Sequence, residues 1–141
     1  MGFSGPLSDR VGRRELYETY VDAVAMNDAE LWASTWVDDC VWHIAGQTTE
    51  GKDKTVALWK QFKDNFSRAL FSGFIGSIAV DDDTATGRYH TVEELWLKTG
   101  SIQRLQGRYA DEIVRRDGRW LFKNRSYTVV QEVPITVPDH G

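Results

Sequence analysis

The sequence predicts an α+β domain in which three N-terminal helices pack on a curved, mostly antiparallel sheet that encloses a pocket. Three observations predict it. Apolar residues recur at helical spacing through the first half of the chain, to about Arg68. From Ala69 onward the pattern changes to the alternation of strands, with many aromatic positions. Asp117-Gly118 between two alternating runs is a two-residue hairpin signal. Helices first and strands afterwards place the helices as a layer on one sheet face.

Ser8 is positioned to cap a first helix whose apolar face is Val11, Leu16, Tyr17, Tyr20, Val21 and Val24. Asn27 and Asp28 break it. Leu31, Trp32, Thr35 and Trp36 form a short second helix ending at Asp38-Asp39, and a strand, expected at a sheet edge, follows from Cys40 to Ile44. Gly46 to Lys52 reads as a polar loop, and Lys54 to about Arg68 as a third helix carrying Val56, Leu58, Trp59, Phe62 and Phe66. Four strands in a meander complete the pattern: Phe74 to Val80, Thr84 to Lys98, Ile102 to Arg115 and Arg119 to Glu132. Residues 1–8 and 134–141, the latter holding Pro134 and Pro138, flank a single domain of 9–133 as flexible ends.

At 141 residues and 16.1 kDa the chain is long enough for its own core without disulfides or a structural metal. Cys40, the single cysteine, fits a reducing compartment and reads as a buried small apolar residue. A net charge of -4 and a pI near 5.3 argue against nucleic acid as the main partner. The basic residues Arg115, Arg116, Arg119, Lys123 and Arg125 are interleaved with the hairpin and read as its solvated side. There is no bilayer-length apolar run and no signal-peptide pattern, so a cytoplasmic protein is expected, with no membrane partner. No His, Asp and Glu trio has metal-ligand spacing and no glycine-rich nucleotide signature occurs, so neither metal nor cofactor is expected.

Strand alternation sorts the polar residues. Tyr89, Thr91, Glu93, Leu95 and Leu97 share one face, and Arg88, His90, Val92, Glu94 and Trp96 the other. On the next strand Leu105, Gly107, Tyr109, Asp111 and Ile113 share a face, and Gly107 leaves room for a ligand or a bend. His43 alternates with Trp42. A one-residue bulge would exchange the faces of His43 or His90.

The order of elements, together with Trp-x-Asp-Asp-x-x-Trp at 36–42, Glu-Gly at 50–51, Val-Asp-Asp-Asp-Thr-Ala at 80–85 and Arg-Arg-Asp-Gly-x-Trp-x-Phe at 115–122, resembles the NTF2-like superfamily in its SnoaL-like branch. The likeness runs over roughly residues 9–132 and is nearest to the hexachlorocyclohexane dehydrochlorinases and scytalone dehydratases. It implies a conical pocket behind the face of Tyr89, Thr91 and Glu93. It also implies pocket roles for Trp42, Tyr109 and Arg125, which stand where that family has a tryptophan, an aromatic residue and an arginine. The Asp-His pair that such enzymes use falls on Ala25 and on Leu70 or Phe71, so both halves are missing. A lysine that helps the leaving group falls on Tyr20.

With that pair gone, Glu93 is the candidate acid or base, since an aromatic cavity raises a carboxyl pKa toward the useful range. Glu93 is alternatively paired with Arg125 or Arg104, and Arg125 with Glu93 or Asp111. Tyr20, Glu93, Tyr109 and Arg125 form the candidate catalytic set. Val24, Trp42, Phe62, Phe66, Leu70, Tyr89, Thr91 and Leu105 form the candidate binding wall. His43, His90 and Asp111 are secondary, Asp111 as a stabiliser of the hairpin or a nearby loop.

Six tryptophans, five tyrosines and six phenylalanines favour a hydrophobic, ring-containing small molecule as the partner. The expected function is a cofactor-independent lyase, isomerase or hydratase. The alternatives are a non-catalytic carrier or scaffold resembling the β subunit of ring-hydroxylating dioxygenases, and a dehydrochlorinase-like elimination enzyme with a relocated base. Trp32, Trp96, Phe3, Val129, Val130 and the Val133 to Val137 segment exceed the needs of one small core and point to a homo-oligomer, trimer or dimer.

Overall fold

Asn27 and Asp28 do locally what their side chains dictate. Asn27 takes the left-handed conformation at φ 53° and closes α1 (Leu7–Met26), its N–H reaching the carbonyls of Ala23 and Val24. Asp28 then caps α2 (Ala29–Ser34), accepting the Leu31 N–H at 3.0 Å. The computed structural model describes residues 2–136. Its other elements are β1 (Phe3–Ser4), β2 (Trp36–Ile44), β3 (Gln47–Glu50), α3 (Lys52–Asp64), β4 (Phe66–Asp81), β5 (Thr84–Leu97), β6 (Ile102–Arg116) and β7 (Arg119–Ile135). The turn between β6 and β7 has both Asp117 and Gly118 at positive φ, 52° and 75°, as its sequence demands.

The seven strands form one open sheet in the order β1-β4-β5-β6-β7-β2-β3. β4 to β7 are the expected antiparallel meander. β2 is not an edge strand: it lies inside the sheet, parallel to β7, and starts at Trp36 rather than Cys40. The cause is the end of α2, where the Thr35 carbonyl accepts the Phe122 N–H at 2.8 Å and delivers Trp36 beside β7. The edge is β3, built from residues expected to be loop. Ala45 and Gly46, at φ 52° and 73°, make a two-residue turn, and Gln47–Glu50 folds back on Val41–Ile44. A polar edge strand carries no apolar alternation to reveal it.

Three further boundaries differ from expectation. α3 stops at Asp64, four residues early, so Phe66 belongs to β4, which is a 16-residue strand. The first residues are not all loose: Phe3–Ser4 pairs in parallel with Ile78–Ala79, and α1 starts after Pro6, leaving Ser8 inside its first turn with no capping bond. Pro134 and Ile135 extend β7, pairing with Gln103 and Ile102. Residues 137–141, with Val137, Pro138 and His140, lie outside the described residues.

The helices cover one sheet face, and the core between them is aromatic. Trp32, expected to exceed the core, is wholly buried in it. It stacks on Trp59 at 4.6 Å between ring centroids and meets Trp36, Trp42 and Tyr20 at 5.4–5.6 Å. Each such pair is worth about 0.5–1.5 kcal/mol beyond area burial. On the opposite, outer face Leu70, Phe74 and Val92 stand exposed, and Val129, Val130 and Val133 are exposed along β7. No helix among the described residues is long and apolar enough to cross a membrane.

Candidate active site

Arg125 and Asp111 face each other across the β6–β7 ladder, and that register brings their side chains into one wholly buried ion pair. Arg125 donates from Nε to Asp111 Oδ1 at 2.7 Å and from Nη2 to Oδ2 at 3.2 Å. Tyr17, from α1, adds its hydroxyl to Oδ2 at 2.5 Å. Arg125 is therefore not on the solvated side of the hairpin, and Asp111 does more than stabilise a turn. Of the hairpin cations, Arg115 binds Asp9 and Asp83, and Arg116 binds Asp39.

The guanidinium is boxed by rings. Its Cζ lies 3.6 Å from the Tyr109 centroid, 4.2 Å from Phe122 and 4.5 Å from Tyr20. Burial alone would discharge an arginine, but Asp111 and the tyrosine oxygens hold its pKa above the ordinary value. Burial pushes the Asp111 carboxyl up, against the pull of Arg125 and Tyr17. One donor, Arg125 Nη1, is buried and has no partner among the described residues. A buried charged donor without an acceptor costs more than a neutral one, so it is a ready anchor for an incoming oxygen.

Glu93 faces the same interior from β5. It pairs with neither Arg125 nor Arg104: Arg104 binds Glu94, and Glu93 Oε2 accepts the Tyr127 hydroxyl at 2.8 Å. Thr91 completes the chain, its hydroxyl 3.3 Å from Tyr127 Oη. Burial pushes the Glu93 carboxyl up, and the Tyr127 bond offsets part of the rise. Tyr20 and Tyr109 stand within the electrostatic reach of both groups, Arg125 lowering and Glu93 raising their pKa. Burial dominates and raises both, so each is a phenol that donates. Four candidate catalytic residues from α1, β5, β6 and β7 thus share one interior.

Tyr127 and Tyr17 were missed. Tyr127 was legible, being two residues after Arg125 and so on the same strand face. Its ring also explains Gly107. A Cβ at Gly107 would collide with the Tyr127 ring and hydroxyl, so the glycine makes room for a neighbouring side chain rather than a ligand. Gly107→Ala is expected to expel Tyr127, cost about 1–3 kcal/mol in denaturant titrations and free Glu93 from its hydrogen bond. Unchanged stability would contradict this packing.

Most of the residues expected to form a binding wall are buried or half-buried. Trp42 and Tyr89 are buried, Tyr89 stacking on Tyr17 at 4.7 Å with its hydroxyl pushed up to about 12 by burial. Thr91 is buried, and Val24, Phe62, Phe66 and Leu105 are half-buried. Leu70 is a correction. It pairs with Glu94 on the outer face and is 50 % exposed, while Phe71 faces in opposite Glu93. His43 binds Thr48 and His90 stacks on Phe74, both off the interior. The expected pocket is not a closed cone: Arg125 packs against Tyr20 and Tyr109, Trp42 against Trp32, Trp36 and Phe62, and two hollows lie elsewhere.

The sequence that builds this helix-covered, mixed open sheet matches, over residues 6–126, a family model described as a SnoaL-like domain. The chain belongs to the SnoaL-like family. This SnoaL-like protein is similar in structure to a type 2 hexachlorocyclohexane dehydrochlorinase, LinA, at TM-score 0.87 and 21% identity, covering 96% of this chain and 94% of that one. A second LinA structure gives 0.85 at 25% identity, covering 94% and 96%. A scytalone dehydratase-like protein from Novosphingobium aromaticivorans gives 0.83 at 21%, covering 94% and 91%. No curated protein matches the sequence. At the positions where the resemblance implies an Asp-His pair, this SnoaL-like chain has exposed Ala25 and either exposed Leu70 or half-buried Phe71.

Proposed function

We propose that the protein is a cofactor-independent lyase, isomerase or hydratase that uses acid/base chemistry on a hydrophobic aromatic or polycyclic small molecule. One observation carries the reading: a buried Arg125 N–H that has no partner among the described residues faces the same aromatic interior as a carboxyl, Glu93, that joins no ion pair among them. In this mechanism Glu93 takes a proton from carbon next to an oxygen-bearing centre. Charge builds on that oxygen, and Arg125 Nη1 with the Tyr20 and Tyr109 hydroxyls stabilises it. The proton then returns from Glu93 to a different atom, or leaves with the departing group. Phe62, Phe66, Val24, Leu105 and the inward Phe71 supply the apolar wall.

The test is a melting-shift screen of aromatic and polycyclic compounds, followed by turnover assays on each binder. Glu93→Gln is expected to keep binding and lose about 10²-fold or more in kcat. Because burial raises the Glu93 pKa, the acid limb of kcat/KM is expected above the ordinary carboxylate range. Linkage has the matching sign. The folded state holds the Glu93 proton longer than the unfolded chain, so this group's contribution falls as pH rises through the raised pKa, and Glu93→Gln removes that slope. Full turnover in Glu93→Gln would remove Glu93 from the mechanism.

The density of the aromatic interior favours a second reading, a non-catalytic binding or scaffold protein, and binders without turnover would select it. We also propose a homo-oligomer, trimer or dimer, in which copies cover the exposed Leu70, Phe74 and Val92. Phe74→Glu is expected to lower the mass seen in sedimentation; a wild-type monomer would refute the assembly.

A further inference from the structure

The outer sheet face holds a hollow of about 570 Å³, within the range of small-ligand sites, on the opposite side of the sheet from Glu93. β1 forms one rim, through Phe3 and Ser4, and the floor includes Ala79 and Ala110. Two guanidiniums enter it. Arg88 pairs with Ala110 and Arg108 with His90, so the arginines are diagonal neighbours on β5 and β6 and project from the same face. Arg88 donates from Nη2 to the Ser77 hydroxyl at 3.1 Å. Arg108 is exposed and has no side-chain partner among the described residues.

Neither arginine belongs to any of the ion pairs among the described residues. Glu112 is the nearest acid on that face by register, opposite Thr86 and diagonal to Arg88, and it joins no pair either. The other groups there are hydroxyls, Ser77, Thr86 and Thr128, with His90 against Gly76 beside Arg88. Two like charges at diagonal positions on a sheet repel each other, and an anion between them relieves that repulsion. Arginine donors with hydroxyls around them suit the oxygens of a carboxylate or phosphate.

We propose that this hollow binds a small oxyanion, a carboxylate or phosphate group, held by Arg88 and Arg108 and bonded by Ser77 and Thr128. It lies across the sheet from the aromatic interior, sharing with the candidate catalytic set only Tyr109 in its lining, and is independent of the function proposed for Glu93.

The experiment is calorimetric titration of the full chain with inorganic phosphate and, separately, with benzoate, at low and high salt. Wild type is expected to bind at least one, more weakly in high salt, and the arm that binds identifies the anion. Arg88→Ala/Arg108→Ala is expected to weaken binding about tenfold or more, the loss of one charge-assisted contact or more. Loss of binding in the double variant, whose two residues lie on the outer face, separates this site from the interior one. Two outcomes overturn the proposal: equal binding by the double variant, or no binding of either anion by wild type; in the second case an altered sedimentation mass of the double variant would give the arginines to a second copy's carboxylates.

Discussion

Asp111→Ala is expected to lose about 3–5 kcal/mol of folding stability, because it strands Arg125 as a buried cation. The reasoning is geometric. Both side chains of the pair are wholly inaccessible, and Asp111 satisfies two of the guanidinium's donors while also accepting from Tyr17. Removing the carboxylate leaves a charge among Tyr109, Phe122 and Tyr20 with only their ring faces as partners. Cation–π contact returns about 2 kcal/mol when desolvated, too little to replace an ion pair. Urea titration gives the number. Asp111→Leu combined with Arg125→Met is expected to recover most of the loss, since two apolar residues leave no charge uncompensated. A single variant within about 1 kcal/mol of wild type would mean that the pair is open to water.

Trp32→Ala is expected to cost a similar amount, about 3–5 kcal/mol, for a different reason. Trp32 is wholly buried and touches three other tryptophans and Tyr20, so alanine leaves a cavity that rings cannot collapse to fill. Trp96 provides the contrast. It is half-buried on the outer face, with the Arg68 guanidinium carbon 4.9 Å from its ring centroid. Trp96→Ala is expected to cost about 1 kcal/mol or less in the same titration. Equal losses would show that the outer face is as tightly covered as the core.

The contrast between these tryptophans shows where sequence reading ended. Trp32 and Trp96 both exceeded the expected core, yet one is at its centre. Periodicity tells which side of an element a residue takes, but how many layers meet there depends on packing partners far along the chain. Trp59 is 27 positions from Trp32 and contacts it only because α2 and α3 converge.

What the sequence by itself determined was local: the α1–α2 break at Asn27-Asp28, the Asp117-Gly118 turn, the long alternating strands, and the face shared by Tyr89, Thr91 and Glu93. These follow from backbone preference and strand parity, which act over a few residues. What only the tertiary structure decided was pairing. Parallel docking of β2 on β7, the polar strand β3 and the β4 register that turns Leu70 outward and Phe71 inward each depend on a partner strand. The same holds at the site, where Arg125 had two acids to choose from and the β6–β7 register selected Asp111. Glu93 was left to Tyr127, because a buried charge takes the partner that geometry brings within hydrogen-bond reach, and sequence spacing does not carry that distance.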